Sequence, residues 1–249
     1  MPEIRSIALV SLGCPKNLVD SERMLGLLAS DGLAVATEAE DADAIVINTC
    51  GFLEASKVEA MKEIHRAIRL KETGKCRRVV VAGCLVQRHK TRLLAEAPGI
   101  DRLVGVFDRE HIVRAVRGNT NRGHDVHFLG KYHDLSRRLD KKNSKPAGYT
   151  EDDRGRLRLT PRHYAFLRIS EGCNQGCTFC TIPSIRGLMR SKPIEHVLAE
   201  ITPRVEYPAA IVIAEPRRRA NLSERQQGFQ HIFDRAVECR RDRDIVRSS

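Results

Sequence analysis

Three short apolar segments in the first third of the chain each end in a cysteine. The segments ALVSLGC, AIVINTC and VVVAGC place Cys14, Cys50 and Cys84 directly after predicted strands. Helical patterns separate these segments, so the strands are expected to run parallel in a sheet that helices cover on both faces. The carboxyl ends of parallel strands lie at one edge, where α/β sheets bind ligands. The sequence therefore predicts an α/β fold with three thiols at one sheet edge.

The same alternation of patterns divides the chain into four parts. Residues 1–120 form a predicted N-terminal domain, and residues 121–162 are polar and highly charged, which is typical of an exposed linker. A second domain is predicted over 163–202. The stretch 203–249 contains ten Arg and no Lys, with weak periodicity, and we interpret it as a divergent tail. The predicted strands are 7–12, 44–48, 79–82, 103–106 and 165–170, and the predicted helices after the first are 52–70, 87–96 and 110–116.

A second cysteine group lies in the segment EGCNQGCTFC. Its CxxxCxxC spacing comprises Cys173, Cys177 and Cys180. Three thiolates on one compact loop can hold three irons of a [4Fe–4S] cluster and leave the fourth iron open to a small molecule. Zinc is disfavoured, because structural zinc sites use four ligands, usually in two pairs.

The first cysteine group allows two interpretations. Cys14, Cys50 and Cys84 can hold a second cluster with one open iron, or they can be three buried structural cysteines, since free cysteine is often buried. Their equivalent positions at strand ends favour the cluster. Cys76 and Cys239 match neither group, and no function is assigned to them.

These motifs resemble those of the radical S-adenosylmethionine (SAM) methylthiotransferase family. The stretch LRISEGCNQGCTFCTIPSIRGLMRSKP is similar to the family's radical SAM segment, and GCPKNLVDSE, NTCGFLEASK and AGCLVQRH are similar to its three N-terminal cysteine motifs. Together they cover about residues 5–200. The resemblance implies two [4Fe–4S] clusters and SAM as cofactors, with Cys14, Cys50 and Cys84 holding the auxiliary cluster and Cys173, Cys177 and Cys180 holding the cluster that binds SAM.

The resemblance also implies the chemistry. The open iron of the second cluster would bind the amino and carboxylate groups of SAM, and the reduced cluster would split SAM to a 5′-deoxyadenosyl radical. The auxiliary cluster would carry the sulfur that one SAM methylates and that the substrate carbon captures. No catalytic residue beyond the cluster ligands is assigned. Phe179 is expected to pack beside the cluster or the adenine, with a position in the core as the alternative.

Four charged residues near the motifs have two interpretations each. Asp20 and Glu22 can bind charged substrate groups or cap a helix. Arg186 and Arg190 can contact substrate or the SAM carboxylate, or they can lie on a solvated surface.

The substrate branch is indicated by two dipeptides. Pro15-Lys16 in GCPKN and Gly51-Phe52 in TCGF resemble the branch that modifies the β-carbon of an aspartate in ribosomal protein S-twelve. The branch that modifies isopentenyladenosine in tRNA is the alternative, and it more often has GCQMN at the first site. The resemblance thus implies ribosomal protein S-twelve or the small ribosomal subunit as partner, together with an electron donor and a sulfur donor that the sequence does not identify. The net charge of +11 fits a ribonucleoprotein partner. The alternative is a basic surface that is exposed to solvent and binds no partner.

The far end of the chain departs from the family pattern. A complete (β/α)₈ barrel takes on the order of 200 residues. The further strands, the glycine segment that binds SAM and the TRAM domain expected of the family are not recognisable after about residue 201. We therefore expect only the start of a radical SAM (β/α) barrel, and a non-catalytic iron–sulfur-binding fragment is kept as an alternative to the enzyme.

The composition also bears on location. No apolar stretch approaches the roughly 20 residues that span a bilayer. The apolar run in residues 1–11 has no small-residue cleavage site and is predicted to be a strand rather than a signal peptide. The expectation is a cytoplasmic protein without membrane contact, in which the eight cysteines stay reduced.

Overall fold

Five parallel strands form one sheet in the computed structural model of the chain, which describes residues 3–118, 127–130, 152–161, 164–201 and 210–213. The strands are β1 (Ser6–Ser11), β2 (Ala34–Val35), β3 (Ala44–Thr49), β4 (Arg78–Gly83) and β5 (Arg102–Val104). Their order across the sheet is β2-β1-β3-β4-β5, and every pairing is parallel. This confirms the predicted parallel α/β sheet.

Helices cover both faces of this sheet. They are α1 (Pro15–Ser30), α2 (Glu54–Thr73), α3 (Cys84–His89), α4 (Arg92–Glu96) and α5 (Ile112–Arg117), with short 3-10 helices at Ala39–Asp41 and Val106–His111. Helices α1 and α5 pack on one face, and α2, α3 and α4 pack on the other.

The central strands are apolar throughout because both of their faces are covered. Every residue of β3 and β4 is buried. Alternate side chains of a strand point to opposite faces, so Ile45 and Ile47 pack against α2 while Ala44 and Val46 pack against α1 and α5. The unbroken apolar runs in the sequence follow from this double burial.

One predicted helix is wrong as a single element. The segment predicted as a helix over 87–96 is divided into α3, which already begins at Cys84, and α4. Lys90 separates them with a φ of +52°, a conformation that a continuous α-helix does not allow. The early start of α3 places Cys84 on its first turn.

The later part of the described chain forms two small sheets. Strand β6 (Tyr164–Leu167) pairs in parallel with β9 (Ala210–Ile213), and β7 (Ser170–Glu171) pairs in antiparallel fashion with β8 (Arg190–Ser191). The strand predicted at 165–170 is therefore divided into β6 and β7. Helices α6 (Ile182–Arg186) and α7 (Ile194–Ile201) complete this part.

Two expectations about the less regular segments need correction. The predicted linker is not exposed throughout, because Asp153 and Arg156 are buried in the described stretch 152–161. The stretch after residue 201, in which the sequence shows no recognisable further strand, contains β9, whose residues AIVI pair with β6. The rest of 203–249 lies outside the described residues. None of the helices described combines the length and apolar character needed to cross a lipid bilayer.

Candidate functional site

The three cysteines of the first group stand at the ends of three neighbouring strands. Strands β1, β3 and β4 are adjacent in the sheet, and Cys14, Cys50 and Cys84 follow them within three residues at most. Cys14 is exposed at the N-terminal boundary of α1, whereas Cys50 and Cys84 are buried. The predicted shared edge is therefore present in the fold.

Two glycines allow the backbone at this edge to pack closely around the cysteines. Gly13 has a φ of +93°, and a Cβ atom there would lie 2.5 Å from Cys50 Cβ and 3.2 Å from Cys50 Sγ. A Cβ atom on Gly51 would lie 2.8 Å from backbone atoms of Cys84 and Leu85. Only glycine fits at such distances, so Cys50 has the turn before Cys14 on one side and the start of α3 on the other.

A buried polar frame holds the first turn of α1 to the end of β3. Asn17 Nδ2 donates a 2.6 Å hydrogen bond to the carbonyl of Leu12. Asn48 Nδ2 donates 2.8 Å hydrogen bonds to the Asn17 carbonyl and to Ser21 Oγ. Asn17 is predicted from the sequence to cap the first helix, but it lies inside α1, whose cap residue is Cys14. Asn48, within the motif AIVINTC, carries no prediction from the sequence.

Cys84 is distinguished by burial and by a cation. Burial raises the pKa of the Cys84 thiol to about 11, against the opposing effect of the Arg186 guanidinium. Arg186 Nη2 lies 3.2 Å from Cys84 Sγ. The metal-free thiol is therefore protonated at neutral pH, and binding of a metal centre must release that proton, because thiolate is the ligand form.

The donor set at this edge fits an iron–sulfur cluster better than a single ion. Among the residues described, no three His, Cys, Asp or Glu side chains form a group able to hold one metal ion. A four-iron cluster binds its thiolates at separate irons, so its ligands stand farther apart than those of one ion. Three thiols that follow adjacent strand ends, with glycine turns beside them, supply the ligand type that such a cluster requires.

The second cysteine group lies on one loop between β7 and α6. Cys173 and Cys180 are partly exposed and Cys177 is exposed. The backbone N–H of Gln175 donates to Cys173 Sγ at 3.4 Å, and the N–H of Cys180 donates to the Cys177 carbonyl at 3.1 Å. The loop thus presents its thiols toward solvent, which suits a cluster with an open iron that must accept a small molecule.

The base of this loop is closed by β7 and β8. Cys173 N–H donates to the Gly187 carbonyl at 3.1 Å, and Asn174 Oδ1 accepts from the Met189 N–H at 2.8 Å. Phe179 is 83% exposed, so its interpretation as a core residue is wrong. Its ring is accessible to whatever the loop binds.

A buried network of charges connects the loop to the sheet domain. Arg186 on α6 donates to Asp20 Oδ2 of α1 at 2.8 Å and to Glu171 Oε2 of β7 at 3.0 Å. Arg168 donates to the same two carboxylates at 2.5 and 3.1 Å and also to Asp153. Helix α1 therefore carries residues of both the cysteine edge and this network.

The contacts in this network exclude one of the two interpretations that the sequence allows for each of the four charged residues near the motifs. Asp20 and Glu22 lie within α1 and bind arginines, so neither caps the helix; Glu22 accepts from Arg156 at 2.8 Å. Arg186 and Arg190 are buried, so the solvated-surface interpretation is wrong for both.

The carboxylates of the network remain ionised because cations outweigh burial. Burial alone raises the pKa of Glu171, but Arg186 and Arg168 hold that pKa well below its usual range. The pKa of Asp153 is lowered in the same way by Arg168 and Lys192. For Asp20, the arginines Arg109, Arg186 and Arg168 outweigh burial and lower the pKa.

The remaining cysteines lie apart from both groups. Cys76 is buried in the core beneath α2, where its Sγ donates to the Arg78 carbonyl at 3.4 Å. Cys239 lies outside the described residues.

Comparison with known proteins gives one consistent result. Residues 6–105 match the family described as "Uncharacterized protein family UPF0004". The "Ribosomal protein uS12 methylthiotransferase RimO" of Desulforamulus reducens is 41% identical over 220 residues, which are 87% of this chain and 46% of that protein. The protein of the same name from Protochlamydia amoebophila is 42% identical over 199 residues, 80% of this chain and 38% of its own length.

Among solved structures, the radical S-adenosylmethionine methyltransferase TsrM of Kitasatospora setae matches with a TM-score of 0.48 at 13% identity, covering 80% of this chain and 45% of that one. The chain spans less than half the length of the curated relatives just described.

Proposed function

Because this chain belongs to the RimO-type methylthiotransferase family, we propose that it forms the cluster-binding part of an enzyme that methylthiolates the β-carbon of an aspartate in ribosomal protein uS12. The observation that carries this proposal is the arrangement of the two cysteine groups: one group stands on three adjacent strand ends, the other on one loop, and a buried charge network connects them.

Each group would hold one [4Fe–4S] cluster. Cys14, Cys50 and Cys84 would hold the auxiliary cluster, and Cys173, Cys177 and Cys180 would hold the one that binds SAM. When bound, the two clusters would supply the cleavage of SAM and the sulfur that is transferred. The chain's own contribution is positioning: the glycine turns bring the strand ends together, and β7 and β8 close the base of the loop.

Phe179 would bind the cofactor through its exposed ring. It stands between two cysteines of the loop, where an aromatic face can pack on the adenine of SAM. In the later part of the chain, β6 and β9 would be the first two strands of a radical SAM (β/α) barrel, since they pair in parallel and the helices α6 and α7 lie between them in the chain. Residues 1–120, 121–162 and 163–202 are kept as the proposed divisions of the chain, with β9 added to the second domain and the rest of 203–249 kept as the tail.

The partner proposed is ribosomal protein uS12, free or within the small ribosomal subunit. The relatives' names supply the substrate, and the net charge of +11 would favour approach to a ribonucleoprotein surface. An electron donor and a sulfur donor are also required. Such partners are found in the cytoplasm, which we propose as the location.

Anaerobic reconstitution tests this function. We expect about eight irons per chain, four for each cluster. With SAM, a reductant and uS12, the Cys50→Ala variant should still form 5′-deoxyadenosine but should not add a methylthio group to uS12, because only the sulfur-bearing cluster is lost. Cys177→Ala should abolish both products. The measurements are iron analysis, chromatography of 5′-deoxyadenosine and mass spectrometry of uS12.

Cys76→Ala is the matched control, because Cys76 is a buried cysteine outside both groups. It should retain both clusters and both products. Stoichiometric zinc without iron-linked absorbance would contradict the proposal, as would methylthiolation of tRNA in place of uS12.

A further inference from the structure

Arg186 makes an unusual set of contacts for a buried arginine. Its side chain is 2% exposed. One terminal nitrogen, Nη1, lies 3.0 Å from Glu171 Oε2. The other, Nη2, lies 2.8 Å from Asp20 Oδ2 and 3.2 Å from Cys84 Sγ. Nη2 also lies 3.5 Å from Asn17 Oδ1. The guanidinium therefore joins two carboxylates, one amide oxygen and one cysteine sulfur.

Arg168 provides a comparison within the same network. Its Nη1 donates to the same carboxylates, Asp20 and Glu171. Its Nε and Nη2 both donate to Asp153, so all three nitrogens bind carboxylates. The two arginines are both buried and share two partners, and Arg186 in addition extends a nitrogen to Cys84.

The position of Arg186 in the chain adds to this. It ends α6, six residues after Cys180, and therefore belongs to the segment that carries the second cysteine group. Cys84 belongs to the first group. The contact between Arg186 and Cys84 thus connects a ligand of one proposed cluster to the segment that holds the other.

We propose that Arg186 is a positioning residue that donates a hydrogen bond to the Cys84 sulfur when Cys84 holds the auxiliary cluster, and that it thereby raises the reduction potential of this cluster. The inference rests on the proposed function, because it requires a cluster on Cys14, Cys50 and Cys84. A cationic N–H donor withdraws electron density from a thiolate, and it stabilises the reduced, more negative state of the cluster. Outer partners of this kind also strengthen metal retention.

The experiment isolates the auxiliary cluster in the 249-residue chain. The background variant carries Cys173→Ala, Cys177→Ala and Cys180→Ala, which removes the other proposed cluster by changes in a largely exposed loop. Arg186→Lys and Arg168→Lys are then compared in this background after anaerobic reconstitution. Lysine retains a positive charge near Asp20 and Glu171, but it lacks the planar guanidinium that donates to a carboxylate and to a sulfur at the same time.

We expect Arg186→Lys to shift the midpoint potential of the cluster to more negative values and to change its electron paramagnetic resonance spectrum. We also expect it to lose iron to a chelator about 10-fold faster. Arg168→Lys should leave the potential and the spectrum unchanged, although it disturbs the same carboxylates. Urea unfolding of both variants separates these effects from a general loss of stability.

If both lysine variants have the potential of the background protein, or shift it equally, the positioning role is overturned. If Arg186→Lys does not fold, Arg186→Gln and Arg168→Gln provide the comparison. Both remove one positive charge, but only the change at Arg186 removes the cationic donor to Cys84, so Arg186→Gln should shift the midpoint potential further to negative values. A background protein that folds but binds no iron overturns the auxiliary cluster itself, and with it both the proposed function and this inference.

Discussion

The three cysteines at the sheet edge have similar surroundings in the sequence but different environments in the fold. Each follows an apolar strand and has a glycine beside it. Cys14 is nevertheless exposed where α1 begins, while Cys84 is buried next to Arg186. Burial disfavours the thiolate, and the guanidinium only partly offsets this for Cys84. Equivalent motifs therefore carry thiols of different reactivity.

This difference predicts how the metal-free protein reacts with iodoacetamide. With its pKa raised to about 11, Cys84 is almost entirely protonated at pH 8. Relative to an ordinary free thiol, its alkylation should be about 100-fold slower from ionisation alone, and the rate should increase as the pH rises toward 11. Peptide mass spectrometry over time measures the rate at each cysteine.

Cys177 is the internal comparison for this measurement, because it is exposed on its loop. Equal modification of Cys84 and Cys177 at pH 8 would show that the edge of the sheet is open in the metal-free protein, contrary to the structure.

At the scale of the elements, the turns at the strand ends decide whether the cysteines can meet. The turn between β1 and α1 passes directly against Cys50, with Gly13 at a φ of +93°. The turn after β3 passes equally close to the start of α3 through Gly51. The strands bring the chain to the edge, and the glycines permit the close approach of one turn to the next.

Gly13→Ala should therefore destabilise the protein by more than the cost of placing a residue with a side chain at a positive φ. Gly32→Ala is the matched control: Gly32 has a φ of +82°, but no atom lies within 4 Å of its added Cβ. We expect Gly32→Ala to lower the free energy of unfolding by about 1–2 kcal/mol. Gly13→Ala should cost about 1–3 kcal/mol more, because its Cβ overlaps Cys50.

Urea unfolding of the metal-free variants measures both costs, and iron analysis after reconstitution measures the effect on the site. Gly32→Ala should bind iron like the unaltered protein, whereas Gly13→Ala should bind less. Similar costs and similar iron contents for the two variants would refute the close approach at Gly13.

At the scale of the whole molecule, buried charges connect parts that are remote in the sequence. Asp20 and Arg186 are 166 residues apart and bind each other with both side chains buried. Asp153, from the stretch predicted to be an exposed linker, binds both Arg168 and Lys192. Each ion in this network is stable only while its partners are present, because an unpaired buried charge is costly.

Asp153→Asn should consequently lower the free energy of unfolding by about 3–5 kcal/mol at pH 7, since Arg168 and Lys192 lose their shared carboxylate. The pKa of Asp153 is depressed in the folded state. Its stabilising effect is therefore complete above the unfolded pKa of about 4 and declines as the pH falls below it. The stability of the variant should depend less steeply on pH in that acid range.

The control is the adjacent Asp152→Asn. Asp152 pairs with Arg154, and both side chains are more than half exposed, so the change should cost less than about 1 kcal/mol. Urea unfolding at pH 7 and pH 3 gives all of these values. A cost for Asp153→Asn no larger than that for Asp152→Asn would show that the network does not hold the two parts together.

The sequence by itself was sufficient to predict the parallel sheet, the edge at which three cysteines end their strands, and the spacing of the second cysteine group. These features follow from local patterns: apolar runs that indicate strands covered on both faces, and cysteines a few residues apart on one loop. Packing decided what local patterns do not contain. The partners of Asp20, Arg168 and Arg186, the burial of Asp153 and the place of Arg186 beside Cys84 depend on how α1 lies against β7 and α6. The physical reason is that a buried charge can be stabilised by any opposite charge that tertiary structure brings within contact distance, whatever their separation along the chain.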